Sequence, residues 1–332
     1  MRIAVIGAGT WGTTIAALAS RRHPTVLWAR RQELADAMNS TGRNPDYLPD
    51  VQLPYGLRTT SNTEDAVDGA EAVIMAVPSH GFREVFDGIS AFIRPDVPIV
   101  SLTKGIEQST TMRMTEIVRE EAPEHDPRRV GVLTGPNLAG EIGAGQPAAA
   151  VVAMGDPETA SALQQALMDP TFRIYTNPDV AGCELAGALK NVMAIAAGMA
   201  KGLGFGHNTL AALITRALAE LTRLGVALGG RQETFAGLAG MGDLIATCQS
   251  DASRNNRVGM ALASGKKLSE IVGEMNTVAE GVKTVEPVLE LARTNRVEMP
   301  IAEQVRRVLH DGAHPREAVL TLMTRRATSE LG

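Results

Sequence analysis

Met1-Arg-Ile-Ala-Val-Ile-Gly7-Ala-Gly9-Thr10-Trp11-Gly12 is the stretch whose reading decides the fold. Arg2–Ile6 is apolar and largely β-branched, which reads as a strand. A G-x-G-x-x-G follows it, and a helix is expected behind over Thr13–Arg21. Strand, glycine turn and helix in that order are the context a dinucleotide-binding turn requires. Gly7 permits the tight turn, Gly9 lets the backbone approach a pyrophosphate, and Gly12 lets helix and sheet pack closely. Amides at the helix N-terminus then face the anion. The plainer alternative is a glycine-rich turn that holds no ligand.

Working outward, Thr25–Trp28 reads as a second strand and Arg31–Asn39 as a second helix. Short apolar runs at Ala72–Val77, Ile99–Leu102, Val130–Leu133, Ala149–Ala153 and Phe172–Tyr175 read as further strands. Helical stretches separate most of them. The alternation predicts an α/β, Rossmann-type, doubly wound and mostly parallel sheet. Asn44-Pro-Asp-Tyr47-Leu-Pro49 is a turn-rich excursion between units. After Asn177-Pro178-Asp179 strand signals stop. Helices are expected at Val180–Lys201, Thr209–Leu228, Val258–Ser264, Leu268–Gly273, Val282–Thr294 and Ile301–His310, with a glycine-rich break at Gly202–His207. The expected division is a nucleotide-binding domain over residues 1–178 and an all-α substrate-binding and catalytic domain over 179–332.

The end of the second strand bears on the cofactor. An acidic residue usually stands there for an NAD ribose 2′-hydroxyl. This chain reads Val26-Leu-Trp28-Ala29-Arg30-Arg31. Two guanidiniums suit a 2′-phosphate, so NADP(H) is favoured and NAD(H) is possible. A solvated basic helix start is the alternative.

Composition narrows the classes. The 332 residues carry a net charge of −5, which weighs against general nucleic-acid affinity. Aromatic content of 3% weighs against a base-stacking surface. No apolar run of about 18 residues free of charge suggests a membrane span. The N-terminus reads as strand and turn, so no signal peptide is expected. Cys183 and Cys248 read as reduced thiols of a cytosolic protein.

Glu184-Leu-Ala-Gly-Ala-Leu-Lys190-Asn191-Val-Met-Ala-Ile-Ala-Ala-Gly198 places one lysine in a long helix of small apolar residues. At about 100° per residue, Lys190 shares a face with Cys183, Ala186, Gly187, Ala194 and Ala197. Burial there would lower its pKa and suit it to proton transfer. A snorkelling structural lysine is the competing reading. Metal and nucleophile chemistry find no support. The spacing of His310 and His314 is broken by Gly312 and Pro315, no Gly-x-Ser-x-Gly elbow occurs, and Cys248 has no histidine nearby in sequence.

Ser101-Leu-Thr-Lys104-Gly105, Thr134-Gly135-Pro136-Asn137-Leu-Ala139, Gly187-Ala-Leu-Lys190-Asn191, Gly237-Leu-Ala-Gly-Met-Gly242-Asp243 and Ser253-Arg254-Asn255 occur in that order. Together they resemble the NAD(P)-dependent glycerol-3-phosphate dehydrogenases of bacteria, over nearly the whole chain. The resemblance implies interconversion of dihydroxyacetone phosphate and sn-glycerol 3-phosphate, supply of phospholipid synthesis, and a cytoplasmic homodimer without a metal. It implies Lys190 as proton donor or acceptor, with Asp243 beside it. Lys104, Gly135, Asn137, Asp243, Ser253, Arg254 and Asn255 fall on substrate positions. Thr10, Trp11, Arg30, Arg31, Ala139, Val278 and Glu280 fall on cofactor positions, with Lys104 and Arg254 reaching both ligands and Tyr47 a further contact. The chain departs from the pattern at Asn137, where many relatives carry serine or threonine. It departs again at Asn256, where they often carry a basic or aromatic residue.

Taken singly, these residues have plainer readings. Lys104 could be a solvated loop lysine, Asp243 and Ser253 helix N-caps, Arg254 a surface arginine and Glu280 a helix-start carboxylate. Two other functions compete: a lysine-using dehydrogenase of a hydroxy acid or sugar acid, and a dinucleotide sensor without turnover. A carboxylate substrate would not need Lys104, Asn137 and Arg254 together. Loss of Lys190 or Asp243 would have favoured the sensor, and both are present.

Overall fold

The structure is a computed structural model and describes residues 1–275 and 279–324. Val278 lies outside the described residues. Eight strands form one sheet: β1 (Ile3–Ile6), β2 (Thr25–Trp28), β3 (Leu57–Thr60), β4 (Ala72–Met75), β5 (Ile99–Ser101), β6 (Val130–Thr134), β7 (Ala148–Ala153) and β8 (Phe172–Asn177). Their order is β3-β2-β1-β4-β5-β6-β7-β8. Every neighbouring pair is parallel except β6 with β7. The first six strands thus have the doubly wound order, with its switch point between β1 and β4.

Helices α1 (Thr10–Ser20), α2 (Gln32–Thr41), α3 (Thr63–Val67), α4 (Phe82–Ser90), α5 (Met114–Glu121), α6 (Ala139–Gly143) and α7 (Pro157–Leu167) intervene. They cover both sheet faces. Ile3 and Val5 enter one core, while Ala4 and Ile6 enter the other. That is why the central strands read as unbroken apolar runs. Strand β3 was not anticipated. In Leu57-Arg58-Thr59-Thr60, Leu57 and Thr59 are buried and Arg58 is exposed, so an edge strand hides in a half-polar run.

The glycine turn obeys its expected logic. Gly7 has φ +119°, and a Cβ there would stand 2.5 Å from the Ala76 carbonyl oxygen of the β4 exit. A Cβ on Gly12 would stand 1.9 Å from the Gly7 oxygen. Only glycines let α1 start this close to the strand ends.

After β8 the described residues are helical: α8 (Val180–Gly202), α9 (His207–Ala227), α10 (Gln232–Phe235), a π turn at Leu238–Gly242, α11 (Asp243–Gln249), α12 (Arg254–Ala263), α13 (Leu268–Glu274), α14 (Glu280–Thr294), α15 (Pro300–His310) and α16 (Pro315–Met323). α8 is buried from Gly182 through Ala200. It is long and apolar enough to cross a membrane, yet it is enclosed by its neighbours, as the core helix of a globular unit would be. α12 starts four residues before the expected Val258, because Ser253 caps it: the Ser253 hydroxyl oxygen accepts from the Asn256 amide at 3.3 Å. α8 and α12 cross with backbones touching. A Cβ on Gly198 would lie 2.0 Å from the Asn256 oxygen, and one on Gly259 2.1 Å from the Ile195 oxygen.

Candidate active site

Lys190 sits mid-way along α8 with its side chain 5% exposed. Its Nζ donates to Thr247 Oγ1 at 2.7 Å and Asn191 Oδ1 at 3.3 Å, and lies 3.2 Å from Asp243 Oδ1. The helix face is small and apolar as expected, and apart from Asn191 of α8 the polar partners come from α11. Desolvation lowers the Lys190 pKa to about 8; Asp243 opposes that shift, and Lys104 adds to it. Thr247 Oγ1 in turn donates to the Asp243 carbonyl oxygen at 2.6 Å. Asp243 and Thr247 are four apart, so α11 presents both on one face.

The other oxygen of Asp243 accepts from Lys104 Nζ at 2.6 Å. Lys104 leaves the carboxyl end of β5 and also donates to the Gly135 oxygen at 2.9 Å. One carboxylate, 3% exposed, therefore bridges two ammonium groups, one from the sheet and one from α8. The N-cap reading of Asp243 fails: Gly242 holds that position, and no side chain caps α11. Asn191 ties the halves again, donating from Nδ2 to the Lys104 carbonyl oxygen at 2.8 Å.

Asn255 is more committed than expected. Its Nδ2 donates to Asn191 Oδ1 at 3.0 Å, and its Oδ1 accepts from the Gly281 amide at 2.9 Å. What it still offers an anion is its backbone N–H in the first turn of α12. Arg254 opens that helix. Its side chain reaches solvent, yet neighbouring protein lowers its pKa by desolvation while Glu280 opposes this. Glu280, first residue of α14, accepts from the Ser79 amide at 3.2 Å and hydroxyl at 2.5 Å. It is partly buried and held by Ser79 rather than free. Ser253 spends its hydroxyl on the cap.

Gly9, Thr10 and Trp11 follow the carboxyl end of β1, beside the switch point. Gly9 faces open space where a Cβ would intrude, and no side chain caps α1. The Trp11 indole nitrogen is buried without a protein partner, and so are both amide atoms of Asn137 and the hydroxyl of Thr134. The uncapped amides of α1 beside an open glycine fit a pyrophosphate, and the orphaned hydroxyl of Thr134, which faces Gly187 of α8 beside Lys104, fits a polar ligand there. Ala139 opens α6, and its carbonyl oxygen accepts from Thr14 Oγ1 at 3.3 Å. Arg30 is exposed at the end of β2; Arg31 pairs with Asp46. Tyr47 packs on the adjoining core. Thr247, Thr134 and Ser79 were missed from sequence. Only Thr247 carried a signal, its spacing of four from Asp243. The cysteines are buried free thiols, and burial pushes Cys248 up to about 12. Neither is an activated nucleophile.

A doubly wound switch point and a desolvated lysine held by a carboxylate fit a nicotinamide-dependent dehydrogenase. Two family models match in succession: NAD-dependent glycerol-3-phosphate dehydrogenase N-terminus over residues 2–160, and its C-terminus over residues 179–320. A glycerol-3-phosphate dehydrogenase [NAD(P)+] of Sphingopyxis alaskensis is 52% identical over 305 residues, 92% of this chain and 91% of that one. One of Geobacter sulfurreducens is 49% identical over 330 residues, 99% of this chain and 98% of the relative. The crystal structure of glycerol-3-phosphate dehydrogenase from Coxiella burnetii superposes with a TM-score of 0.93 at 36% identity, over 98% of this chain and 99% of that chain. The chain belongs to the NAD-dependent glycerol-3-phosphate dehydrogenase family. A ketopantoate reductase of Ralstonia eutropha, at 15% identity and TM-score 0.60, shares the fold alone.

Proposed function

We propose that this chain reduces dihydroxyacetone phosphate to sn-glycerol 3-phosphate, and reverses that reaction, as the supply of glycerol 3-phosphate for phospholipid synthesis. NADPH is the favoured reductant and NADH the second. Residues 1–178 carry the nucleotide and 179–332 the substrate and the acid. The enzyme works as a cytoplasmic homodimer. The observation that carries the reading is the chain Lys104–Asp243–Lys190, largely buried at the carboxyl edge of the sheet, with Asn191 linking it to Asn255 in the first turn of α12.

When bound, the reduced nicotinamide supplies a hydride to the substrate carbonyl carbon. Lys190 holds the proton that the resulting alkoxide takes, and its positive charge stabilises that oxygen as it develops. Asp243 and Thr247 fix the ammonium in place. Asp243 also screens Lys104 from Lys190, so two cations can stand in one site. Lys104, Gly135 and Asn137 line the substrate, and the orphaned amide of Asn137 is free to bond it. The guanidinium of Arg254 and the first-turn amides of α12 bind the phosphate.

The test compares substrates. Wild-type protein should oxidise NADPH with dihydroxyacetone phosphate far faster than with unphosphorylated dihydroxyacetone. Arg254→Ala should lower kcat/KM for the phosphorylated ketone by about 10–100-fold, and Arg254→Lys should also be costly because a point charge cannot reproduce the fork. Turnover of the unphosphorylated ketone should scarcely change. An equal proportional loss on both substrates places Arg254 in cofactor binding or the fold and removes the phosphate site from α12.

A further inference from the structure

Asp46 lies in the turn-rich excursion after α2 and bonds Arg31 through its carboxylate. Arg31 is one of the two guanidiniums that stand where a ribose 2′-substituent would be read. The excursion is not a loose loop. Asn44, fully buried, donates from Nδ2 to the Ala8 oxygen of the dinucleotide turn at 2.9 Å and to Thr13 Oγ1 in the first turn of α1 at 2.8 Å. Its Oδ1 accepts from the amides of Asp46 at 3.3 Å and Tyr47 at 3.2 Å. The Leu53 amide closes the excursion onto the Gly42 oxygen at 2.8 Å. Asp46 is thus held at a set distance from the phosphate-binding turn, with its carboxylate over Arg31.

A doubly wound NAD site places its acidic residue at the end of the second strand. Here that position carries arginines, and a carboxylate reaches the same edge from a different segment. We propose that Asp46 is a specificity-determining residue that balances the two cofactors. It holds Arg31 when no 2′-phosphate is present, and it must release Arg31 when NADPH binds. NADH carries a hydroxyl there and leaves the pair intact. Asp46 therefore weakens NADPH binding and spares NADH. The inference rests on the reading of Arg30 and Arg31 as 2′-phosphate contacts.

Both partners are half-exposed, so the effect is modest and sensitive to salt. The test is direct titration of the protein with NADPH and with NADH, followed by nucleotide fluorescence without substrate. Asp46→Asn should lower the Kd for NADPH by roughly three- to tenfold at low ionic strength and move that for NADH by less than about twofold. Asp46→Ser should behave alike, and the gain should shrink in high salt. In an Arg31→Gln background the Asp46→Asn gain should vanish. Equal changes for both cofactors, no change for NADPH, or a gain that persists without Arg31 would each overturn the proposal. The underlying reading fails separately: if Arg30→Gln with Arg31→Gln leaves NADPH binding as it was, these arginines do not read the 2′-phosphate. If that pair of changes weakens NADPH while Asp46→Asn is inert, only the role of Asp46 is lost.

Discussion

Lys190 titrates where an acid–base catalyst is most useful, because burial and Asp243 pull in opposite directions. Burial lowers the pKa, the carboxylate opposes the fall, and the balance leaves it at about 8. The sign of the pH dependence follows. Ketone reduction uses the ammonium, so its rate should fall as pH rises through about 8, while alcohol oxidation, which uses the neutral amine, should rise over the same range. Asp243→Asn removes the group that favours the charged form, so the inflection should move to lower pH. Rate profiles in both directions on the two proteins measure this, and an unmoved inflection would detach Asp243 from the lysine. Lys190→Ala should lower kcat by about 10²–10⁴ with NADPH binding retained. The same burial has a stability consequence. Lys190 is protonated in the unfolded chain up to about 10.5, so folding stability should gain between pH 8 and 10.5, where only the native state has lost the proton.

At the scale of elements, the crossing of α8 with α12 decides where Lys190, Asn191 and Asn255 meet. Two glycines make that crossing close. Gly259→Ala would gain up to about 1 kcal/mol of helix propensity, but its Cβ would meet the Ile195 oxygen at 2.1 Å and the Met199 nitrogen at 2.7 Å. Backbone atoms cannot rotate away, so the clash outweighs the propensity and the helices must separate. The expected net loss is about 1–3 kcal/mol by denaturant titration, with reduced activity. Gly88→Ala in α4 is the matched control. Nothing stands within 4 Å of its Cβ, so it should stabilise by about 0.5–1 kcal/mol. Destabilisation of both to the same extent would show that contact at the crossing is not the cause.

Across the whole molecule, sheet and helical half are joined by a buried carboxylate as well as by the site. Glu184, on α8, accepts from the Thr115 amide at 3.0 Å and the Thr115 hydroxyl at 2.5 Å, and pairs with Arg113 at 3.4 Å. Burial pushes its pKa up, against Arg113 and Thr115. Glu184→Ala should cost about 1–3 kcal/mol, because it leaves the buried Thr115 amide without its acceptor and removes one of the two carboxylates on Arg113, which keeps Glu116 at 2.7 Å. Glu184→Gln, which still accepts from the Thr115 amide, should cost less. Chemical unfolding of the two variants checks the order. Equal losses would assign the effect to packing rather than to charge.

How far the chain could be read without its structure depends on the range of the interaction concerned. The glycine turn, the central strands, α8 and α14 were legible because their signals are local: φ freedom, β-branching and a helical period lie within a dozen residues. Lys190 was legible as a desolvated amine because the small face of α8 is a property of that helix alone. The half-polar edge strand β3 was not, since Leu57-Arg58-Thr59-Thr60 becomes a strand only when β2 supplies its hydrogen bonds. The partners of the charges were likewise beyond local reading. The cap alternative for Asp243 falls only because α11 turns its side chain toward two lysines; Asn255, expected at the substrate, has both ends of its amide taken by α8 and α14; Asp46 lies fifteen residues from Arg31, with α2 between them. By itself the sequence determined the elements that carry a local signal, the nucleotide turn and the residue types of the site. Tertiary structure alone decided which charges neutralise one another, because a Coulomb or hydrogen-bond partner is chosen by proximity in space, and that proximity exists only after the sheet and α8 have packed.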